Sequence, residues 1–277
     1  MVERYPIGAV ALAAALAATI AGARAWDEAK YPDLKGQWLG VGAGPDAAWD
    51  PERPAGRGQL APLTPEYQAL LEATLARAAA GGRPPEPCIP PGMPRSMIVY
   101  QPMEIIVTPP ITYMVLGHMA EFRRIFTDGR KWSAAIEPAH AGFSTGAWED
   151  TDGDGRYDTL AVETRGMKGP RTFDSSGIPL HRDNQTVVKE RISLDRTDAN
   201  LLHDEITTID NALTRPWTVT RSYRRERNAE WTELVCPESN RTVAIGTETY
   251  AVSADGYLTP TRQRQPPPDL RHFPNRK

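Results

Sequence analysis

The sequence contains little cysteine, little excess charge and only one long apolar run. Two cysteines in 277 residues exclude a disulfide-dense small domain. A formal net charge of -3 removes the usual electrostatic basis for binding nucleic acid, so no nucleic-acid partner is expected. The single apolar run, residues 7–22, excludes a membrane protein with several spanning helices. These absences leave an ordinary globular composition, in which 40% of the residues are hydrophobic.

The N-terminal apolar run has the pattern of a secretory signal peptide. It is dominated by alanine and ends in Ala23-Arg24-Ala25, the small-x-small pattern that signal peptidase accepts. The alternative is an uncleaved membrane anchor, for which this alanine-rich run is short. We expect a Sec-type signal peptide over residues 1–25 that is cleaved after Ala25. The mature protein would then be periplasmic or secreted, with no stable membrane anchor after cleavage.

Export gives the two cysteines a structural interpretation. In an oxidising compartment, a disulfide between Cys88 and Cys236 is the default expectation. Two buried free thiols are the alternative.

Proline and period-two patterning indicate a β-rich chain. Proline accounts for 26 of the 277 residues, which favours turns and short strands. One helix is predicted at about residues 65–80, with Thr64 as its N-cap and Pro65 at its first position. Residues 26–63 read as a loop or an edge segment. Strands are predicted over residues 97–101, 104–108, 111–116, 121–127, 143–149, 159–165, 185–195, 201–210, 217–224, 231–236 and 242–253.

This series of short strands predicts a mainly β fold. With only one clear helix, the expected architecture is an antiparallel, lipocalin-like barrel or a sandwich. We expect a single β-rich domain over residues 26–257. The Pro-rich segment over residues 258–277 is predicted to be a disordered tail.

Several short phrases match a family pattern. The chain reads LTPEY at 63–67, CIPPGMPR at 88–95, RIFTDGR at 124–130, DTLAVET at 158–164 and RPWT at 215–218. In these phrases it resembles a widespread group of uncharacterised exported bacterial β-rich proteins. The resemblance covers most of residues 60–240 and implies a secreted β-rich domain without an assigned activity. The chain departs from the group after Trp148, where it has a longer acidic loop.

The acidic loop has the spacing of a calcium site. Residues 150–158 read DTDGDGRYD, which places alternate aspartates ahead of Gly155, where the chain must bend. Position 12 is alanine and the flanks read as strands, so the loop is not an EF-hand. The alternative is a solvated acidic hairpin. The predicted ligands of a structural calcium ion are Asp150, Asp152, Asp154, the carbonyl of Arg156, and Asp158.

Charged residues occur on the apolar faces of predicted strands. Alternation places Glu190, Arg221 and Arg124 among hydrophobic neighbours. Such residues either form an internal salt bridge or anchor a ligand inside a barrel. A register error is a third explanation, since a slip of one residue reverses every face. The candidate ligand-binding residues are Arg124, Trp148, Glu190, Trp217, Arg221 and Tyr223.

A catalytic interpretation stays open. His203 and Glu205 share one strand face and would suit a general base with its orienting carboxylate, or a solvated face. The chain lacks a nucleophile elbow, a P-loop and a Rossmann glycine pattern, so no nucleotide or redox cofactor is expected.

The leading functional hypothesis is an exported β-barrel-like protein that binds a small apolar or amphipathic molecule and carries a structural calcium loop. The alternative is a periplasmic hydrolase, isomerase or lyase using Glu/His acid–base chemistry. An envelope interaction protein is a third class.

Overall fold

The computed structural model describes residues 26–44, 47–80, 89–99, 101–118, 121–132, 135–228, 230–231, 242–253, 255–269 and 271. The predicted signal peptide, Cys88 and Cys236 lie outside these residues, so the disulfide stays a prediction. No helix within the described ranges has the length and hydropathy needed to cross a membrane.

The described chain forms a closed barrel of nine strands and a separate sheet of three. The barrel strands are β1 Gln37–Gly40, β2 Met103–Val107, β3 Ile111–Leu116, β4 Glu121–Phe126, β5 Phe143–Glu149, β6 Thr159–Arg165, β7 Val187–Leu194, β8 Leu201–Ile209 and β9 Trp217–Glu226. The small sheet contains β10 Thr242–Ile245, β11 Glu248–Val252 and β12 Leu258–Pro260. Short 3₁₀ helices span Glu28–Lys30, Gly56–Gln59 and Arg95–Ile98.

The barrel closes through β1, which pairs with β2 on one side and β9 on the other. The predicted barrel is therefore confirmed, but it is mixed and not wholly antiparallel. Strand β5 pairs parallel to β4, with Ile125 opposite Ser144. The connection over residues 127–142 is long enough to carry the chain back to the end from which β4 started, as a parallel pair requires.

Helix α1 spans Pro65–Ala79, as predicted. The Thr64 side chain accepts a hydrogen bond from the Tyr67 N–H and caps the first turn. Leu71 belongs to the hydrophobic core and the Tyr67 ring contacts His181 at 5.4 Å, whereas Leu70 is exposed.

Two local predictions in the N-terminal half are wrong. Strand β1 lies within the segment predicted to be a loop or edge; its four residues are too few to show a period. The strand predicted at 97–101 begins instead as a 3₁₀ turn, because the Ser96 N–H bonds to the Gly92 carbonyl and the Met97 N–H bonds to the Pro94 carbonyl.

The C-terminal region also differs from its prediction. Residues 242–253 form a hairpin of two strands, with a turn at Gly246, where φ is +62°. The prediction of a disordered tail does not hold for Leu258–Pro260, which pairs with β11 through backbone hydrogen bonds. The Tyr250 hydroxyl further bonds to the Pro266 carbonyl at 2.9 Å. The predicted strand at 231–236 lies outside the described residues from position 232 onward.

Side chains fill the barrel interior. Alternate positions of each strand point inward, as the period-two pattern requires. Most of these side chains are apolar, including Trp38, Met103, Ile105, Met114, Leu160 and Ile206. Five charged side chains of the barrel strands share this interior: Glu121, Arg123, Glu190, Asp204 and Arg221.

Candidate functional site

The acidic loop joins β5 to β6. Gly153 and Gly155 have φ of +78° and +87°, so the chain bends where the sequence requires glycine. Ligand oxygens of Asp150, Asp152 and Asp158 all lie within 4.8 Å of one another. Two oxygens bound to one calcium ion, each at about 2.3–2.6 Å, lie at most about 5 Å apart. The spacing of these three carboxylates therefore fits a single ion.

Backbone N–H groups hold the carboxylates in place. Asp150 Oδ1 accepts a hydrogen bond from the Gly153 N–H at 2.7 Å. Asp158 Oδ2 accepts from the Thr151 N–H at 2.9 Å. Burial raises the pKa of Asp158, but hydrogen bonds from neighbouring threonines outweigh it and leave that pKa below its usual value. These hydrogen bonds orient the Asp150 and Asp158 carboxylates and leave lone pairs for a cation.

Two other acidic side chains near the loop have different partners. Asp154, a predicted ligand, lies outside the group of three; its Oδ1 accepts from the Arg156 N–H at 2.8 Å. Glu149 on β5 forms a salt bridge with Arg191 on β7 at 2.8 Å, along the outer face of the barrel. The role predicted for the Arg156 carbonyl stays a prediction.

An aromatic layer packs beside this loop. The Tyr31 ring contacts Trp148 and Tyr157 at centroid distances of 5.3 and 5.1 Å. The Tyr157 N–H also bonds to the Lys30 carbonyl at 2.7 Å, which ties the N-terminal segment to the acidic loop. Trp148, a predicted ligand-binding residue, therefore belongs to the surroundings of this acidic loop. Its indole N–H is buried and has no hydrogen-bond partner among the described residues.

A fully buried ion pair lies inside the barrel. Arg123 donates to both carboxylate oxygens of Glu190, with one contact at 2.7 Å. Its remaining N–H groups reach Ser144 and Thr164 at 3.2 and 2.9 Å. Glu190 is inward, as predicted, and has the internal salt bridge that the sequence left as one alternative.

The prediction that Arg124 points into the barrel is wrong. Arg124 lies on the outer face of β4, and its neighbour Arg123 takes the inward position. The prediction took Phe122 and Phe126 to mark the inward face of the strand, but Phe122 is 62% exposed. The face that points inward contains Glu121, Arg123 and Ile125.

A second buried carboxyl, Asp204, adjoins this pair. Burial raises the pKa of Asp204 well above its usual value, and the negative charge of Glu190 raises it further. Arg123 and Arg221 oppose that shift but do not cancel it. The protonated form of Asp204 is therefore favoured. Asp204 was missed in the sequence, although its alternation with Leu202 and Ile206 marks it as inward.

The other predicted ligand-binding residues also have protein partners. Arg221 is inward, as predicted, and donates to the carbonyls of Ala48, at 3.0 Å, and Trp49. The Trp217 ring packs against Phe173 at 4.9 Å. The Tyr223 hydroxyl donates to the Met97 carbonyl at 2.8 Å. With Arg124 outside and Trp148 beside the acidic loop, the predicted set does not meet around one cavity.

A groove of about 540 Å³ lies on the outer wall of the barrel. Ala147 and Ala161, which face each other on β5 and β6, form its apolar floor. Longer side chains border this floor, including Arg130, Glu163, Lys189 and Glu205.

His203 has polar partners other than the predicted Glu205. Its Nδ1 lies 2.9 Å from Ser222 Oγ, and its Nε2 lies 3.2 Å from Asp195 Oδ2. No local sequence pattern identifies either partner. The β8–β9 register brings Ser222 to the histidine, and the turn after β7 brings Asp195.

Fold and site together define a closed, mixed β-barrel with an exposed aspartate triad arranged to bind a metal. Neither a scan against protein-family models nor a search of curated proteins found a match to this chain. Function must therefore be inferred from the chemistry of the residues themselves.

Proposed function

We propose that this protein is an exported β-barrel that binds one calcium ion in the loop between β5 and β6. The observation that carries the proposal is the convergence of the Asp150, Asp152 and Asp158 oxygens within 4.8 Å. All three donors are hard carboxylate oxygens, which favours calcium over zinc or copper. Backbone carbonyls and water would complete the usual six to eight ligands.

The ion has a structural role in this proposal. It would neutralise three carboxylates that otherwise repel one another across a short hairpin. It would also hold Tyr157 against the N-terminal segment, since the Tyr157 N–H bonds to the Lys30 carbonyl. Because the site is exposed, we expect a Kd of about 10⁻⁴–10⁻³ M, the range of extracellular calcium modules.

Isothermal titration of the mature chain with calcium chloride tests this proposal. The expected result is one ion per chain for the wild type and no measurable binding for D152N. D128N is the matched control, because Asp128 is an acidic residue of another exposed turn, paired with Arg130. Equal binding by wild type and D152N, or no binding by the wild type, would contradict the proposal.

The outer groove supports a second proposed function, the binding of a small amphipathic molecule. Its alanine floor suits an apolar portion, and Arg130 and Lys189 at its border suit a negatively charged group. The test is fluorescence titration with 8-anilinonaphthalene-1-sulfonate. A147R should abolish saturable binding, whereas A78R, the same substitution at an exposed position of α1 outside the groove, should preserve it. Equal binding by both variants would exclude this groove.

A further inference from the structure

The outer wall of the barrel carries a second chemical site, remote in sequence from the acidic loop. Ser222 on β9 lies directly opposite His203 on β8. Ser222 Oγ lies 2.9 Å from Nδ1 of the histidine, and Asp195 Oδ2 lies 3.2 Å from Nε2. The three side chains form a continuous chain of hydroxyl, imidazole and carboxylate.

The turn after β7 fixes the carboxylate. Asp195 Oδ1 accepts from the hydroxyl and the N–H of Thr197, at 2.7 and 2.8 Å, and from the Asp198 N–H at 2.9 Å. These hydrogen bonds, those from Thr197 first, hold the pKa of Asp195 well below its usual value. Oδ2 is left to orient His203, so the carboxylate stays ionised and in position.

This arrangement selects one tautomer of the imidazole. With Nε2–H donated to Asp195, the Nδ1 lone pair accepts the Ser222 hydroxyl proton. The two ring nitrogens are exchanged relative to the common Ser-His-Asp arrangement, but either nitrogen of an imidazole can accept a proton. The geometry therefore provides a nucleophile, a base and an orienting group.

The surroundings of Ser222 suit a small ester. The site is open, with 32% of the His203 side chain exposed. Arg224 follows on the same outer face, held by Asp198 at 2.7 Å, and brings positive charge near the site. Val41 donates its N–H to the Ser222 carbonyl at 2.8 Å and has a side chain that is 46% exposed.

We propose that Ser222 is the nucleophile of an acyl-transfer site that hydrolyses short-chain esters. Ser222 Oγ attacks the acyl carbon as its proton passes to His203 Nδ1. The C–O bond to the alcohol then breaks, and the leaving oxygen takes that proton. Water, deprotonated by His203, attacks the acyl-serine and releases the acid, which restores the Ser222 hydroxyl. Asp195 acts as a positioning residue that stabilises the imidazolium.

The first test uses the full mature chain with p-nitrophenyl acetate and a fluorophosphonate probe. The expected results are turnover above the buffer rate and one covalent adduct that maps to Ser222. S222A should lose both, and H203A should lower turnover by roughly 10²–10⁴-fold. S193A is the control, since Ser193 opposes His203 from β7 and has no role in the proposal.

D195N separates a catalytic arrangement from a merely structural one. Removing the negative charge of Asp195 should lower kcat for p-nitrophenyl acetate and leave KM nearly unchanged, because Asp195 stabilises the imidazolium and does not contact the ester. The proposal is overturned if the wild type gives no adduct and no turnover, or if S222A retains the wild-type rate. A wild-type kcat in D195N would remove the role of Asp195.

Discussion

Arg123 and Glu190 form a bidentate ion pair inside the barrel, where their side chains are 1% and 0% exposed. Each charge depends on the other, because both side chains are buried. Asp204 lies beside the pair, and burial favours its protonated form. The interior thus places a protonated carboxyl beside a buried ion pair.

Breaking this buried ion pair should lower the free energy of unfolding far more than breaking a surface ion pair. E190Q leaves the Arg123 charge buried without a counter-ion, so we expect a loss of about 3–5 kcal/mol in the free energy of unfolding. E163Q is the control, since Glu163 pairs with Arg165 at the surface, where about 1 kcal/mol or less is expected. Urea unfolding of both variants measures the difference. Similar losses in the two would show that the buried pair is not a specific source of stability.

Glu121 should make the protein less stable as the pH rises. Burial raises its pKa to about 7, so the folded state keeps a proton that the unfolded state releases near pH 4.5. The stabilising contribution is therefore complete below about pH 4 and is lost as the pH rises toward about 7. E121Q should flatten this part of the pH dependence, as measured by urea unfolding at about pH 5 and about pH 8. Parallel curves for the wild type and E121Q would contradict the shift.

Two glycines with positive φ should respond differently to alanine. A Cβ on Gly142, where φ is +66°, would lie 2.7 Å from the Arg165 carbonyl oxygen and 2.6 Å from a Met167 side-chain carbon. Gly129 has φ of +76° but nothing within 4 Å of such a Cβ. G129A should therefore cost about 1–2 kcal/mol from backbone strain alone, and G142A clearly more. Thermal unfolding compares the two, and equal losses would contradict the close approach at Gly142.

Calcium should stabilise the fold by mass action. With a Kd of about 10⁻⁴–10⁻³ M, calcium at about 10 mM should add roughly 1.4–2.7 kcal/mol to the free energy of unfolding. Chelator should remove the gain, and D152N should show none. Unfolding followed by Trp fluorescence measures it. A gain of the same size in D152N would place the ion elsewhere.

The sequence predicted best where a strand is long and its inward face mostly apolar. In β7, Glu190 alternates with Val188 and Ile192, and this register proved correct. In β4 the inward face itself carries Glu121 and Arg123, so hydrophobicity pointed to the wrong side. Charges compensated across the barrel are invisible to a period-two rule, because their partners lie on other strands.

The acidic loop and the His203 cluster also differ in how far the sequence predicts them. The DxDxDGxxD spacing is local, and the four aspartates that it predicted include the three that converge in the β5–β6 loop. Asp154, equally favoured by spacing, instead caps the Arg156 N–H. The contacts of His203 depend on the pairing of β8 with β9 and on the turn after β7. No local pattern in the sequence specifies them.

Native mass spectrometry of the mature chain, with and without chelator, tests the calcium site most directly. We expect one added ion with the mass of calcium in the wild type, removed by chelator and absent in D152N. Preparations from calcium-containing buffer that carry no ion, or an ion retained by D152N, would contradict the assignment of Asp150, Asp152 and Asp158 as a calcium site.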